Sequence, residues 1–483
     1  MAKRVITHTK TVERRTKIVA TIGPASRGRE MLARLVEEGL DVARINASHG
    51  THVDHRTAIL RLRALERRMR KPIGLLVDLQ GPKIRIGTLA QGAPVELVAG
   101  KTVVIEPGHF PGTAARLSTT YRNLPKDVTR GDAILLDDGL LRLRVTRVRA
   151  GAVESEVVVG GTLKEHKGVN LPGARVSAPS MTRKDYADLA FGLANGADYI
   201  ALSFVRSGSD VRVLRRAIAR HGGRAAIIAK IEKPDALDRI DEILREADGI
   251  MVARGDLGVE LAPEKVPAAQ KALIHKANAA ERIVITATQM LESMIVSPVP
   301  TRAEASDVAN AIFDGTDAVM LSAETASGRY PALAVRMMAG IAREAEAHGE
   351  FDSREDASLA LGSPEHAMAR AACSAALGAR VRTIVVLTLS GRTALTLSKM
   401  KPPARIVAVA ASLAVASRMA LYRGVVPMVM PLASTTDRMI ANADRALVRR
   451  HLAARGESVI LVAGVTQAIG ATNMIKLHRV GIG

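Results

Sequence analysis

From Thr16 onward, short runs of apolar and β-branched residues alternate with stretches in which apolar residues recur at helical spacing. The short runs predict buried strands, and the longer stretches predict amphipathic helices. We predict eight strands, at Lys17–Ile22, Val42–Asn46, Gly74–Asp78, Tyr199–Phe204, Ala226–Ile231, Gly249–Ala253, Val284–Ala287 and Ala318–Leu321. Helices are expected between them, for example at Arg29–Glu38, Arg183–Ala194, Ser209–His221 and Ala268–Ala280. This alternation is typical of a (β/α)₈ TIM barrel, and a doubly wound open sheet is the alternative that alternation alone leaves open.

Two other regions depart from the barrel pattern. About 120 residues separate the third and fourth strands, and within them Ala133–Leu136 and Leu140–Val148 flank a turn that ends in Gly139. This hairpin pattern predicts a small inserted all-β domain. After a loop-like acidic stretch that follows Glu350, a helix from Pro364 and three strands predict a C-terminal α/β domain; the strands are Thr383–Leu387, Arg405–Ala410 and Ser458–Val462. We therefore divide the chain into residues 1–80 and 178–350 for the barrel, 81–177 for the insertion and 351–483 for the C-terminal domain.

The charge balance invites a nucleic-acid interpretation, which its distribution does not favour. The chain has 69 Lys+Arg against 48 Asp+Glu, a formal net charge of +21, but only 2% aromatic residues with which to stack bases. Residues 178–350, which hold most of the predicted barrel, carry 21 basic and 24 acidic side chains. Four arginines of the last helical stretch are expected to form a solvated face: Arg438, Arg445, Arg449 and Arg450. We expect no nucleic-acid partner.

The composition also indicates the cellular compartment in which the protein is expected. The one cysteine, Cys373, cannot form an internal disulfide, and no apolar run approaches the roughly 18 residues of a membrane span. The basic N-terminus lacks the apolar core of a signal peptide. We therefore expect a cytoplasmic protein with no membrane contact.

Polar residues recur where the predicted strands end, which is where barrel enzymes place their active residues. Lys230 and Glu232 are two apart on one strand and so face the same side, and Asp256 leaves the next strand. Two carboxylates without a Cys/His cluster suit a hard cation such as Mg²⁺, and a neighbouring lysine could stabilise an oxyanion. A purely structural Lys230–Glu232 ion pair is the alternative.

Arginines and glycines at other strand ends suggest an anionic substrate. Arg44 and Arg85 are placed at adjacent strand ends, where paired arginines suit a phosphate or a carboxylate, although surface salt bridges would also explain either one. Gly255 and Gly258 flank Asp256 and would let backbone N–H groups approach an anion. His49 is given only a secondary binding role.

Long motifs in this order resemble the pyruvate kinase family. They are TKIVATIGPAS (16–26), ARINASHG (43–50), DLQGPKIRIG (78–87), HKGVNLPG (166–173), AKIEKPDALDRIDEI (229–243), GIMVARGDLGVE (249–260), TATQMLESM (286–294) and PTRAEASDVANAIFDGTDAVMLSAET (300–325). The resemblance runs from about Thr16 to His478. It implies a TIM barrel with a mobile lid and a C-terminal regulatory domain, and it implies transfer of the phosphoryl group of phosphoenolpyruvate to ADP, giving ATP and pyruvate.

The resemblance also implies a role for each residue that matches a family motif. Glu232 and Asp256 would hold the Mg²⁺ (or Mn²⁺), and Lys230 would stabilise the phosphoryl group and the enolate. Phosphoenolpyruvate would contact Arg44, Lys230, Gly255, Asp256 and Thr288, of which Lys230, Thr288 and Arg44 would be catalytic. The nucleotide would contact Asn46, Ser48, His49, Arg85 and Lys184. Proton delivery to the enolpyruvate carbon would involve the neighbourhood of Thr288.

One departure concerns the monovalent cation. Potassium-dependent members usually read DTKGPEIRTG where this chain reads DLQGPKIRIG, so Leu79 replaces a threonine and Lys83 replaces a glutamate. Asn46, Ser48 and Asp78 would remain as ligands. We predict that Lys83 substitutes for K⁺, as in the potassium-independent branch of the family.

In the C-terminal domain, Thr388, Ser390, Gly391, Arg392 and Thr393 resemble the family's phosphate-binding effector loop. An ordinary strand-to-helix turn capped by Ser or Thr explains the same residues nearly as well. The resemblance further implies a homotetramer and a phosphorylated effector. A metal-dependent 2-oxo-acid aldolase would share the Lys/Glu/Asp core, but it would not need the lid or the C-terminal domain.

Overall fold

The computed structural model describes residues 13–174, 176–349, 363–431, 433, 435–464 and 472–482. Its centre is a closed barrel of eight parallel strands, which we call barrel strands 1 to 8. In chain order they are Lys17–Thr21, Val42–Asn46, Gly74–Asp78, Tyr199–Leu202, Ala226–Ile231, Gly249–Ala253, Ile283–Ala287 and Ala318–Leu321. Each pairs with its neighbours in the chain, and the first closes on the eighth with Lys17 opposite Ala318. The predicted TIM barrel is confirmed and the open sheet is excluded.

Most of the predicted strand limits agree with the structure to within one residue, and the fourth strand is the exception. It ends at Leu202, and Phe204, the predicted last residue of the strand, has a left-handed backbone with φ of 55°. An L-residue in that conformation cannot continue a strand. Its peptide N–H is directed instead to the carboxylate of Glu232, as described below.

Helices surround the barrel because its strands are buried on both faces. The α-helices that belong to it are Arg29–Glu38, His52–Met69, Arg183–Ala194, Gly208–Arg220, Pro234–Asp238, Ile240–Glu246, Arg254–Glu260, Val266–Ala279, Arg302–Phe313, Ala323–Ala326 and Pro331–His348, with 3₁₀ turns at Pro263–Lys265 and Glu292–Ile295. Leu32, Leu35 and Val36 show how the first helix covers the barrel, since they form its buried stripe. No helix of the described ranges is long and apolar enough to cross a membrane.

Four aspartates pin the amino end of the barrel in a repeating pattern. Each one directly precedes an even-numbered strand, and its carboxylate accepts a backbone N–H from the odd-numbered strand before it. The pairs are Asp41 with Ile18 at 2.9 Å, and Asp198 with Leu75, Asp248 with Ile227 and Asp317 with Val284 at 2.8 Å each. These bonds fix the strands at the end away from the polar cluster described below, where barrel folds build stability rather than chemistry.

The insertion after strand 3 is all-β apart from one short helix, Leu124–Asp127, and a 3₁₀ turn, Ala90–Gly92. Its strands are Val95–Leu97, Thr102–Pro107, Arg116–Thr119, Ala133–Leu136, Leu141–Arg149, Ala152–Val159, Gly161–Leu163 and Val169–Asn170. Six of them form one sheet around an apolar core of their own. The predicted hairpin is confirmed, since Ala133 lies opposite Arg144. We call this insertion the lid; its boundaries at residues 81 and 177 stay a prediction.

The C-terminal α/β unit contains the helices Pro364–Gly378, Arg392–Lys399, Leu413–Met419 and Thr436–Arg449 and the strands Thr383–Thr388, Arg405–Ala410, Val425–Val429, Ser458–Gly464 and Thr472–Arg479. Two of these strands escaped sequence reasoning because they are the edges of the sheet. Pro427 interrupts the apolar pattern of one, and a proline is tolerated only at such an edge. The acidic stretch after Glu350 lies outside the described residues.

The arginines of the helix Thr436–Arg449 fit a solvated face only in part. Arg438, Arg445 and Arg449 are exposed. Arg450, which follows the helix, is partly buried, and burial together with the nearby Arg449 and Arg70 lowers its pKa.

The C-terminal unit is tied to the amino end of the barrel by buried polar contacts. The ammonium of Lys399 lies 2.5 Å from Asp317, and both side chains are shielded from solvent. Ser417 Oγ donates to Glu66 at 2.7 Å, and Tyr199 Oη donates to the carbonyl of Arg418 at 2.5 Å. A buried charge that loses its partner is costly, so the Lys399–Asp317 pair holds the two units in one arrangement.

Candidate active site

The carboxyl ends of barrel strands 3, 4 and 5 bring three polar side chains together around one ammonium group. Lys230 Nζ lies 2.7 Å from Glu232 Oε1 and 3.6 Å from Asp78 Oδ1, and it donates to Ser203 Oγ at 2.9 Å. Lys230 and Glu232 are on the same side of strand 5, as their spacing predicts. The Lys230–Glu232 ion pair, which was the structural alternative to a functional site, therefore exists, but it belongs to a larger buried cluster.

Burial and charge act in opposite directions on this cluster. Burial would lower the pKa of Lys230, but the carboxylates of Asp78, Glu232 and Asp256 outweigh it and hold the pKa well above its usual value. Burial raises the pKa of Glu232, and the charge of Asp256 adds to the rise while Lys230 opposes it. Lys230 is consequently a fixed positive charge, and Glu232 is a carboxylate that a second cation would stabilise.

Arg44 forms the second cationic element of the site. Its guanidinium donates to Asp78 Oδ2 at 2.8 Å through Nε and to Thr21 Oγ1 at 2.8 Å through Nη1. Asp78 Oδ1 is buried and has no hydrogen-bond partner among the described residues. Arg44 is thus held rigidly in the middle of strand 2, beside a carboxylate oxygen that has no hydrogen-bond partner among the described residues.

Asp256 comes from the neighbouring strand end. It lies in the first turn of the helix Arg254–Glu260, which follows strand 6 directly, and strand 6 pairs with the strand that carries Glu232. It lines a cleft between the lid and the barrel, together with Lys83, Asp138 and Lys233. Of the two predicted metal ligands, Asp256 therefore lines the cleft, and Glu232 lies at the end of the neighbouring strand 5.

The donor set of that cleft fits a hard cation only in part. Within the described ranges no group of three or more His, Cys, Asp or Glu side chains could hold a metal ion by itself. Two carboxylates would leave the remaining positions of an octahedral ion to substrate oxygens and water, which is how Mg²⁺ is commonly bound beside phosphates. The residues fit Mg²⁺ or Mn²⁺ on those terms.

Thr288 is held in an unusual backbone conformation. Its φ is 66° and that of Gln289 is 53°, both in the left-handed region that L-residues rarely adopt. Arg254 Nη2 donates to the carbonyls of Thr288 at 2.9 Å and Gln289 at 3.0 Å, and Arg254 Nη1 lies 2.7 Å from Asp307. Gly255 N–H donates to Thr288 Oγ1 at 2.7 Å, so the predicted substrate residues Gly255 and Thr288 do meet.

A second group of cations surrounds His49. Burial lowers the pKa of His49, and the charges of Lys83, Arg85, Arg44 and Lys184 lower it further. Four cations near one imidazole create a local positive field, which favours an anionic ligand at this place.

The loop that follows strand 2 is fixed by its own polar contacts. Lys184 Nζ donates to the carbonyl of Ala47 at 2.5 Å and lies 2.6 Å from Asp188. Ser48 N–H donates to Asn46 Oδ1 at 3.1 Å. Asn46, Ser48, His49 and Lys184 are therefore brought together as the sequence indicated.

Arg85 and Lys83 differ from their expected positions. Arg85 does not lie at a strand end next to Arg44, because strand 3 stops at Asp78. Its guanidinium donates instead to the carbonyl of His166 at 2.8 Å, at the start of the lid. Lys83 is exposed and lines the cleft, and in the described part of the chain its ammonium forms no ion pair with Asp78.

The candidate effector loop is a tight turn before the helix Arg392–Lys399. Gly391 has φ of 86°, and its N–H donates to Thr388 Oγ1 at 3.0 Å. Arg392 N–H donates to Ser390 Oγ at 3.4 Å. These bonds satisfy the turn itself, as in the capped-turn alternative, so the geometry leaves both interpretations open.

Sequence reasoning missed three residues of the catalytic end. Ser203 accepts the bond from Lys230, and Phe204 N–H donates to Glu232 Oε2 at 2.7 Å. Arg254 braces Thr288. Ser203 and Phe204 directly follow strand 4, so the strand-end rule that found Lys230 would have found them as well. The role of Arg254 depends on a contact across 34 residues of sequence and has no local signal.

Two family models match the chain. The first, described as pyruvate kinase, barrel domain, matches residues 13–335. The second, described as pyruvate kinase, alpha/beta domain, matches residues 366–478. Together they cover the barrel with its lid and the C-terminal unit.

Whole-chain comparisons agree with the two models. The chain is 46% identical over 473 residues to a pyruvate kinase of Staphylococcus epidermidis, covering 97% of this chain and 81% of that one. It is 46% identical over 474 residues to a pyruvate kinase of Geobacillus stearothermophilus, covering 97% and 80%. A crystal structure of a pyruvate kinase from Cryptosporidium parvum superposes with a TM-score of 0.90 at 37% identity, covering 97% and 96%. The chain therefore belongs to the pyruvate kinase family, enzymes that transfer a phosphoryl group between phosphoenolpyruvate and ADP to give pyruvate and ATP.

Proposed function

We propose that the reaction of this chain depends on Mg²⁺ or Mn²⁺ bound between Glu232 and Asp256, with Lys230 as the principal cationic side chain. The observation that carries the proposal is the buried cluster in which Lys230 Nζ lies 2.7 Å from Glu232. A divalent cation there would neutralise charge on the transferring phosphoryl group and the enolate. The same cation would compensate the carboxylate of Glu232, whose pKa burial raises.

The side chains around the cation would orient the substrate. Arg44, fixed by Asp78 and Thr21, would bind the phosphoryl oxygens of phosphoenolpyruvate, and the Gly255 turn would add contacts beside Asp256. Lys230 would donate hydrogen bonds to the phosphoryl group during its transfer and to the oxygen of the enolate that forms. This division suits phosphoryl transfer, in which positioning and charge neutralisation supply most of the catalysis.

The second half of the reaction is a proton transfer to carbon 3 of the enolate. We assign this step to the neighbourhood of Thr288, whose Oγ1 accepts from Gly255 N–H and whose backbone is braced by Arg254. Asn46, Ser48, His49, Arg85 and Lys184 would bind ADP. The support for this assignment is the concentration of positive charge around His49.

Removal of either metal-binding carboxylate tests the proposal. Glu232→Gln and Asp256→Asn should each lower kcat/KM for pyruvate formation by roughly 10³-fold, because several kcal/mol of charge stabilisation would be lost. Both variants should also weaken Mn²⁺ binding, measured by electron paramagnetic resonance in the presence of phosphoenolpyruvate. Glu264→Gln removes an exposed carboxylate close by in the chain and should change neither quantity. Full activity in the Glu232 variant would contradict the assignment.

We also propose that the enzyme does not require K⁺. Leu79 is buried in the apolar core and offers no hydroxyl, and Lys83 contributes positive charge to the region of His49. The ammonium of Lys230, which lies 3.6 Å from Asp78 Oδ1, already places a fixed positive charge beside that carboxylate.

A potassium titration of matched variants tests this point. In buffer free of both K⁺ and Na⁺, the wild-type protein should turn over as fast as it does after K⁺ is added. Lys83→Glu should need added K⁺, because the fixed ammonium is gone. Lys126→Glu makes the same charge change at an exposed position of the lid and should stay K⁺-independent. Activation of the wild-type protein by roughly tenfold or more on adding K⁺ would refute the proposal.

Regulation and assembly are proposed on the family resemblance, with a homotetramer and a phosphorylated effector at Thr388–Thr393. The supporting feature is the sequence of the turn before the helix Arg392–Lys399, where hydroxyl side chains, a glycine and an arginine follow one another, as suits a phosphate. Replacing Ser390 and Thr393 by alanine together should abolish activation by sugar phosphates and leave unactivated turnover intact. Unchanged activation would move the site elsewhere, and light scattering of the same samples would test for a particle of four chains.

A further inference from the structure

One hydrogen bond joins the lid to the barrel beside the proposed metal ligands. Asn170, at the end of the last lid strand, donates from Nδ2 to Glu260 Oε1 at 2.9 Å. Glu260 ends the helix that begins at Arg254, and its side chain is only 1% exposed. The same Oε1 accepts from the ammonium of Lys233. A lid residue thus shares a buried carboxylate oxygen with a barrel lysine.

The carboxylate of Glu260 is linked to the chain segments that carry both proposed metal ligands, Asp256 and Glu232. Asp256 and Glu260 are four residues apart on one helix, so they lie on the same face, and Lys233 directly follows Glu232. The Lys233–Glu260 pair therefore joins the segment that carries Glu232 to the helix that carries Asp256. Asn170, Lys233 and Asp256 all line the cleft between lid and barrel.

Movement of the lid away from the barrel would remove one of the hydrogen-bond donors of Glu260. A buried carboxylate needs partners for both oxygens, and Glu260 Oε2 has none among the described residues, so the donors on Oε1 carry its whole compensation. When the lid lies against the barrel, Asn170 supplies one of those donors. When it swings away, Lys233 is left as the sole donor to Glu260 within the described contacts.

We propose that Asn170 and Glu260 form a latch that holds the lid over the metal site and so keeps water from the transferring phosphoryl group. The proposal rests on the phosphoryl-transfer function above and adds positioning residues that do not touch the substrate. A hydrogen bond to a charged group shifts an equilibrium by roughly ten- to a hundredfold, enough to set how often the cleft is open during turnover.

An unlatched lid admits a defined side reaction. A water oxygen attacks the phosphorus of phosphoenolpyruvate, the bond from phosphorus to the enol oxygen breaks with its electron pair, and inorganic phosphate forms. One proton of the water stays on the phosphate as its hydroxyl, and the other is matched by the proton that the enolate takes up at carbon 3 to give pyruvate. Pyruvate then appears without ATP, so the ratio of ATP to pyruvate measures how well water is excluded.

The test compares Asn170→Ala with Asn123→Ala, which removes a lid asparagine whose side chain donates to Ser177 within the lid. With saturating ADP, wild type and Asn123→Ala should make ATP and pyruvate one for one. Asn170→Ala should release inorganic phosphate per pyruvate at least about tenfold above wild type. Hydrogen exchange without any ligand should also be faster in residues 133–171 of Asn170→Ala and unchanged in the barrel.

The latch proposal requires that Asn170→Ala increase both the phosphate released per pyruvate and the rate of hydrogen exchange in the lid. A one-to-one product ratio in Asn170→Ala, or lid exchange equal to that of wild type, would overturn it. Failure of the wild-type protein to form ATP from phosphoenolpyruvate and ADP would overturn the underlying function instead. The exchange measurement in the ligand-free protein would then still decide whether Asn170 holds the lid.

Discussion

The catalytic end of this barrel is organised around one buried ammonium. Lys230 is surrounded by Glu232, Asp78 and Ser203, and the carboxylates keep it charged despite burial. The cluster in turn favours binding of a further cation, because burial raises the pKa of Glu232 and a nearby positive charge would stabilise its ionised form. The slight excess of acidic residues in the barrel segment is consistent with this arrangement, in which individually placed cations matter more than a uniformly basic surface.

The two ends of the barrel divide the work. At the amino end, Asp41, Asp198, Asp248 and Asp317 accept backbone N–H groups and anchor the strands, and Lys399 ties the C-terminal unit to the last of them. At the carboxyl end, polar groups are left only partly satisfied, as Asp78 Oδ1 and Glu260 Oε2 illustrate. Rigid anchoring at one end allows the unsatisfied groups at the other to be held in place for a substrate.

Much of this architecture is legible in the sequence, for identifiable reasons. The barrel strands are short apolar runs, and alternation along strand 5 by itself predicts that Lys230 and Glu232 lie together. The same approach failed where contacts are remote in sequence: Arg254 bracing Thr288, Arg85 bonding to the lid, and Asn170 reaching Glu260. The edge strand Val425–Val429 was also missed, because Pro427 lies in the middle of its short apolar run.

The central claim is that the charge of Lys230 stabilises the transferring phosphoryl group and the enolate. Its most direct test is the turnover number of Lys230→Met for pyruvate formation from phosphoenolpyruvate and ADP, with circular dichroism showing that the variant is folded. The account predicts that kcat falls by roughly 10³-fold or more, since the site loses its main preorganised cation. A folded Lys230→Met protein that turns over at the wild-type rate would contradict it.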